Sequence, residues 1–199
     1  MAAAGRELEE ETGFRAGRLE EIGRFYSSPG MVSESFTLVR ATGLERVGEG
    51  GGTARCSTDT VFQLDGDLEE LHREDAIMIC GGSDVQKATS KRLVSWLRRE
   101  ARKGLMIGGL CTAAYSLAKA GLLDGKRATI HWENQDSFSE EFDEVELTKS
   151  VFTIDGNRLT TAGGTSSIDL FLQIIANDHG EELATAVADQ QIYSSIRTD

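Results

Sequence analysis

Residues 108–125, GGLCTAAYSLAKAGLLDG, set a lone cysteine between a short apolar run and the first turn of a helix, and the reading of that junction decides the fold. The apolar run LMIGGL, 105–110, has the length of a buried strand, and Ala113 and Ala114 after it are small enough for a helix to pack closely. The order is strand, sharp turn, helix. Such a junction can hold a reactive side chain exposed at the carboxyl edge of a sheet. A thiol at position 111 would face the positive end of a helix dipole and unpaired N–H groups, both of which favour thiolate. The same residue reads equally well as a small, buried apolar side chain.

Outward from this junction, apolar runs alternate with helical patterns. AIMICGG (76–82) is followed by a helix through Leu93, Val94 and Leu97, then by LMIGGL, a helix from Thr112, the strand RATIHW (127–132) and a helix near 135–142. That alternation predicts a parallel sheet wrapped by helices. VFTIDGNRLTTA (151–162) predicts a hairpin around Asp155, Gly156 and Asn157. Ile168, Phe171, Leu172 and Ile175 follow at i, i+3, i+4 and i+7, the spacing that places four side chains on one helix face.

Ahead of these elements, residues 2–13 read as a helix closed by Gly13, and LEEIGRFY and ESFTLVRA as two strands around SSPG. The glycine cluster GEGGG at 48–52 places a boundary between a short α+β piece, 1–52, and an α/β domain, 53–199.

The 199 residues, 39% hydrophobic, are enough to bury a core. No apolar run reaches the roughly 18–20 residues of a membrane helix, and the acidic start lacks the regions of a signal peptide, so the cytoplasm is the expected compartment. Cys56, Cys80 and Cys111, odd in number and widely spaced, suggest reduced thiols and not a disulfide framework or a metal cage. A formal charge of −12 opposes a polyphosphate backbone, so the chain is not expected to grip nucleic acid by itself.

DAIMICGG, GGLCTAAYSLAKAGLLDGKRATIHWE and LTTAGGTSSIDLFLQII, in that order over about three quarters of the chain, resemble the ThiJ/PfpI branch of the class I glutamine amidotransferase-like superfamily. Within it they are similar to the sensor half of GlxA-like AraC-type transcriptional regulators. The resemblance implies a flavodoxin-like three-layer sandwich with a mostly parallel sheet. It puts Cys111 at the elbow, His131 at the histidine after the next strand, and Gly81, Gly82 and Thr112 at a ligand pocket. Where hydrolytic members carry a histidine after the cysteine, this chain has Thr112. The family's first βαβ segment, which supplies an acidic residue, has no counterpart in 53–199. The strand lost with it would lie beside AIMIC, and FTLVRA (36–41) is expected to fill that edge. Asp169, at the start of a helix, is read as a helix-stabilising carboxylate before a ligand contact.

Arg6, Glu7, Leu8, Glu9, Glu10, Glu11, Thr12, Gly13 and Phe14 reproduce the second half of a Nudix box, and 2–50 resemble the carboxyl-terminal part of an ADP-ribose pyrophosphatase. Glu7, Glu10 and Glu11 at i, i+3 and i+4 share one helix face, as a magnesium ion requires. The box's upstream half would precede Met1, which favours an ordinary acidic helix.

The resulting expectation is a small-molecule-sensing domain, its ligand an amine or amino-acid derivative, without catalytic activity, without cofactor and lacking the family's DNA-binding half. Pairing into a homodimer would cover a truncated sheet. The alternatives are a hydrolase, hydratase or glyoxalase-like enzyme using Cys111 and His131, and a magnesium-dependent Nudix hydrolase using the three glutamates.

Overall fold

The computed structural model of the chain describes residues 48–55, 61–193 and 197. The elements expected over 2–41, the pairing of FTLVRA, Cys56 and the glutamates at 7, 10 and 11 lie outside the described residues.

In chain order the elements are β1 (Thr53–Arg55), β2 (Val61–Gln63), β3 (Ala76–Cys80), α1 (Val85–Ala88), α2 (Lys91–Ala101), β4 (Met106–Leu110), α3 (Ala114–Lys119), β5 (Arg127–Ala128), α4 (Gln135–Glu141), β6 (Glu146–Leu147), β7 (Phe152–Asp155), β8 (Arg158–Thr161), α5 (Ser166–His179) and α6 (Glu181–Gln190). Single 3-10 turns cover Cys111–Ala113 and Trp132–Asn134.

The main sheet runs β3-β4-β8-β7, parallel across the first three strands and antiparallel in the hairpin β7-β8. Ile107, Gly108 and Gly109 are buried in succession, as are all four residues of β8. Successive buried residues on a strand require cover on both faces, which is the mark of the α/β sandwich that the alternating pattern predicts. Helix α3 packs on β4, and α5 on β7 and β8. The core gathers Leu97, Leu105, Ile107, Leu117, Leu123 and Phe138, each no more than 2% exposed.

One charge lies inside this core. Glu100, 0% exposed on α2, accepts from Lys103 Nζ at 2.8 Å, Arg99 Nε at 2.7 Å and the Leu71 amide at 3.1 Å. Burial pushes its carboxyl up, but those three donors together hold it below the ordinary glutamate value.

The glycine-rich stretch at 48–52 is a turn fastened to the segment after β2. Gly48 N–H donates to Gly66 O at 3.2 Å and Gly50 N–H to Asp67 Oδ1 at 2.8 Å. Asp67 also accepts from Arg92 Nη2 at 2.6 Å, and chiefly for that reason its carboxyl falls to about 2.

One expectation is corrected. RATIHW forms a strand only at Arg127 and Ala128, which pair with β6. At Thr129 the amide turns to a side chain, Thr160 Oγ1 at 2.7 Å, instead of continuing the ladder. Helix α5 forms as the spacing predicts; on it Leu172 is buried, whereas Ile168 and Phe171 are 38% and 42% exposed. Ser166, Asp169 and Leu170 point inward instead, because a buried ion pair at Asp169 turns that face to the interior.

Candidate functional site

Strand β4 delivers Cys111 to the carboxyl end of the sheet, where the chain reverses into the 3-10 turn. Cys111 has φ of 61°, a left-handed conformation that non-glycine residues adopt rarely and that clusters at functional sites. Its amide donates to Thr161 Oγ1 on the neighbouring strand at 3.1 Å, which holds the turn in place.

The half-buried sulfur lines a cleft of about 440 Å³ together with Gly82, Asp84, Thr112, His131 and Glu133. Thr112 is buried, and its hydroxyl donates to Gly82 O at 2.8 Å, so its role in the cleft is to pin the glycine turn. Gly81, expected at the pocket, lies behind it. Its N–H donates to Leu110 O at 3.2 Å, and a Cβ there would lie within 2.5 Å of Thr112 Oγ1, so only glycine admits this approach. Thr112→Val keeps the shape but leaves Gly82 O without that donor. Denaturant titration should show a loss of about 1–3 kcal/mol.

His131 is brought to the thiol through a backbone it does not share with a ladder. Thr129 N–H donates to Thr160 Oγ1, which lies 2.7 Å from Thr153 Oγ1, and Thr153 donates back to Arg127 O at 3.4 Å. These hydroxyls fix the segment that carries His131 two residues later. The imidazole Nδ1 stands 3.8 Å from Glu133 Oε2, and its ring lies 5.9 Å from that of Trp132, which is 69% exposed at the rim.

Between thiol and imidazole stands Gly163, a residue that sequence reasoning missed. At φ of 92°, a Cβ on it would fall 2.8 Å from Cys111 Sγ and 2.9 Å from His131 Cδ2. The signal was available in AGGT, a glycine pair between a strand and a helix. Asp84 and Glu133 were likewise missed. Asp84 has φ of 58° and pairs with Lys87 at 3.1 Å, so two of the three non-glycine residues with positive φ among the described residues line this cleft.

Burial weighs against the thiolate that a helix N-terminus would favour. Burial pushes the Cys111 thiol above the ordinary cysteine value, and a hydrogen bond from the Thr112 amide opposes that only in part. The turn beyond it is a single 3-10 turn ahead of a six-residue helix, too short to supply the field of a long helix.

Asp169, also considered for the ligand, is 0% exposed and turned away toward Tyr193 and Arg197. Among the described residues no group of three or more metal-ligating side chains occurs, and no helix is long and apolar enough to cross a membrane.

Comparison with known proteins fits this geometry. The profile of the DJ-1/PfpI family matches residues 31–177. The chain is 44% identical over 147 residues to the HTH-type transcriptional regulator CdhR of Pseudomonas aeruginosa, covering 74% of this chain and 44% of that protein. It is 32% identical over 151 residues to the HTH-type transcriptional regulator GlxA of Rhizobium meliloti, covering 74% and 46%. Among solved structures, an AraC family transcriptional regulator from Pseudomonas putida superposes with a TM-score of 0.63 at 25% identity, over 74% of this chain and 80% of that one. The chain thus spans less than half the length of either sequence relative.

Proposed function

Because the chain belongs to the DJ-1/PfpI family, we propose that the cleft at Cys111 is the small-molecule-sensing site of a transcriptional regulator that works in the cytoplasm, with DNA contact left to other parts of such a protein. Both sequence relatives carry the name of transcriptional regulators, which supports a sensing role over a catalytic one. The observation that carries the reading is the thiol itself. Its half-burial disfavours the thiolate, and among the described residues no carboxylate is bonded to it. A protonated thiol is a poor nucleophile.

The ligand we infer is an amine or amino-acid derivative. Asp84, paired with Lys87, and Glu133 bring two carboxylates to the cleft, no lysine or arginine lines it, and Trp132, between the lining residues His131 and Glu133 in the chain, is exposed. Carboxylates and an aromatic face together favour a cation. No cofactor is needed for this, and the formal charge of −12 keeps the chain from binding nucleic acid itself. Residues 1–52 are proposed as a separate fragment, and a homodimer as the assembled form.

The enzyme reading rests on one observation, the left-handed φ at Cys111 with His131 across Gly163. In that version the thiol attacks a carbonyl or imine carbon while the imidazole takes its proton. Titration calorimetry of Cys111→Ser and Glu133→Gln with a primary amine, an N-methylated amino acid and a dicarboxylate control separates the two. Sensing predicts that Cys111→Ser keeps amine affinity within about threefold, while Glu133→Gln weakens it about tenfold or more. Turnover of a bound compound that Cys111→Ser abolishes would overturn the sensing role.

A further inference from the structure

The third non-glycine residue with positive φ, Ile192 at 55°, lies far along the chain from the cleft, where α6 ends. Ile192 N–H donates to Asp189 O at 3.0 Å and Tyr193 N–H to Ala188 O at 2.9 Å. That pair of bonds closes a helix with a left-handed residue that is usually glycine. A β-branched residue there is strained, and it persists only where its surroundings hold it.

What holds it is the buried carboxylate of Asp169. Tyr193 Oη donates to both of its oxygens at 3.0 Å, and the Arg197 amide donates to Oδ1 at 2.8 Å. Arg197 Nε and Nη2 donate to Oδ2 at 3.1 and 2.7 Å. Asp169 is 0% exposed, whereas the Arg197 side chain is 47% exposed, so the arginine closes over the carboxylate from the solvent side.

The same arginine reaches the segment that adjoins Cys111 and His131. Arg197 Nη2 donates to Thr165 Oγ1 at 2.6 Å, and the next residue, Ser166, donates its Oγ–H to Gly163 O at 2.6 Å. Gly163 borders both Cys111 Sγ and the His131 ring. Thr161, at the start of the same turn, accepts from the Cys111 amide. A group that enters the cleft beside the thiol presses on Gly163, and the displacement meets Arg197 within two residues.

We propose that Asp169 and Arg197 form a releasable latch, loaded by the strained Ile192, that couples occupancy beside Cys111 to the docking of Tyr193 and Arg197. The coupling is reciprocal: whatever an occupant does to the latch, opening the latch does to the cleft. This goes beyond the sensing role, and its test does not use a natural ligand, so the two fail separately.

The probe is iodoacetamide on the full chain with Cys56 and Cys80 replaced by serine. Arg197→Ala opens the latch and should speed alkylation of Cys111 about fivefold. Ile192→Gly removes the strain, closes the latch more firmly and should slow alkylation about threefold. In the reverse direction, carboxamidomethylation of Cys111 should raise hydrogen exchange at the Tyr193 and Arg197 amides. If Arg197→Ala exposes the Tyr193 amide to exchange while Cys111 alkylates at the parent rate, the latch does not communicate with the cleft. Ile192→Gly alters an exposed residue and keeps the fold, so unchanged alkylation in it overturns the proposal even if Arg197→Ala fails to fold.

Discussion

Gly163→Ala is expected to lower the unfolding free energy by about 2–4 kcal/mol and to remove the cleft's response to any ligand. Two costs combine. An alanine at a φ of 92° is strained, and its Cβ would stand 2.8 Å from Cys111 Sγ and 2.9 Å from His131 Cδ2. Both neighbours belong to short or ringed side chains and cannot swing clear without leaving the cleft. The variant should therefore show an altered iodoacetamide rate at Cys111 together with a lower denaturation midpoint. Gly164→Ala is the control: its φ of 58° carries the backbone strain, but a Cβ there meets nothing within 4 Å. Equal losses in both variants would show that strain alone, and not the contact with the thiol and imidazole, accounts for the effect.

Glu100→Ala should cost about 1–3 kcal/mol, because it removes a buried acceptor on which three donors converge. Lys103, Arg99 and the Leu71 amide all donate to this carboxylate, and without it Lys103 keeps only the exposed Glu70 and the Leu71 carbonyl. The sign of the pH dependence follows from the direction of the shift. The folded protein holds Glu100 below its ordinary value of 4.5, so the folded state binds fewer protons than the unfolded chain as pH falls through that region. The contribution of Glu100 is fully present above pH 4.5 and is lost as pH drops through the lower folded value. Urea titrations of parent and Glu100→Ala should thus differ by a constant amount near neutrality and converge in acid. A difference that widened in acid would overturn this account of Glu100.

Much of the architecture could be read from alternation and spacing. The strand before Cys111, the hairpin at Asp155–Asn157, the helix through Leu97 and the α/β class all follow from periodicity and turn chemistry. The reading failed where side chains replaced a regular pattern. RATIHW has the composition of a strand, but hydroxyls capture its backbone after Ala128. On α5 the spacing marked the helix but not its buried face, which Asp169 and its arginine set. Within the site, Cys111 could be picked out from its strand–helix junction and His131, Gly82 and Thr112 through the family resemblance, and the four line one cleft. Gly81 borders the turn instead. Asp84 and Glu133 were hidden because no spacing rule links residues that meet only when separate strand ends converge, whereas Gly163 was marked by the glycine pair in AGGT and passed over.

The hydroxyl bridge beneath His131 bears on which changes the lineage of such a domain can tolerate. A backbone ladder is built from main-chain groups that every residue except proline supplies, so its hydrogen bonds do not depend on a particular side chain. Here the path from the Thr129 amide through Thr160 and Thr153 to the Arg127 carbonyl begins and ends on one segment and is closed by side chains alone. The placement of the imidazole is therefore written into positions 153 and 160, and inheritance of the site depends on two threonines that never touch what it binds.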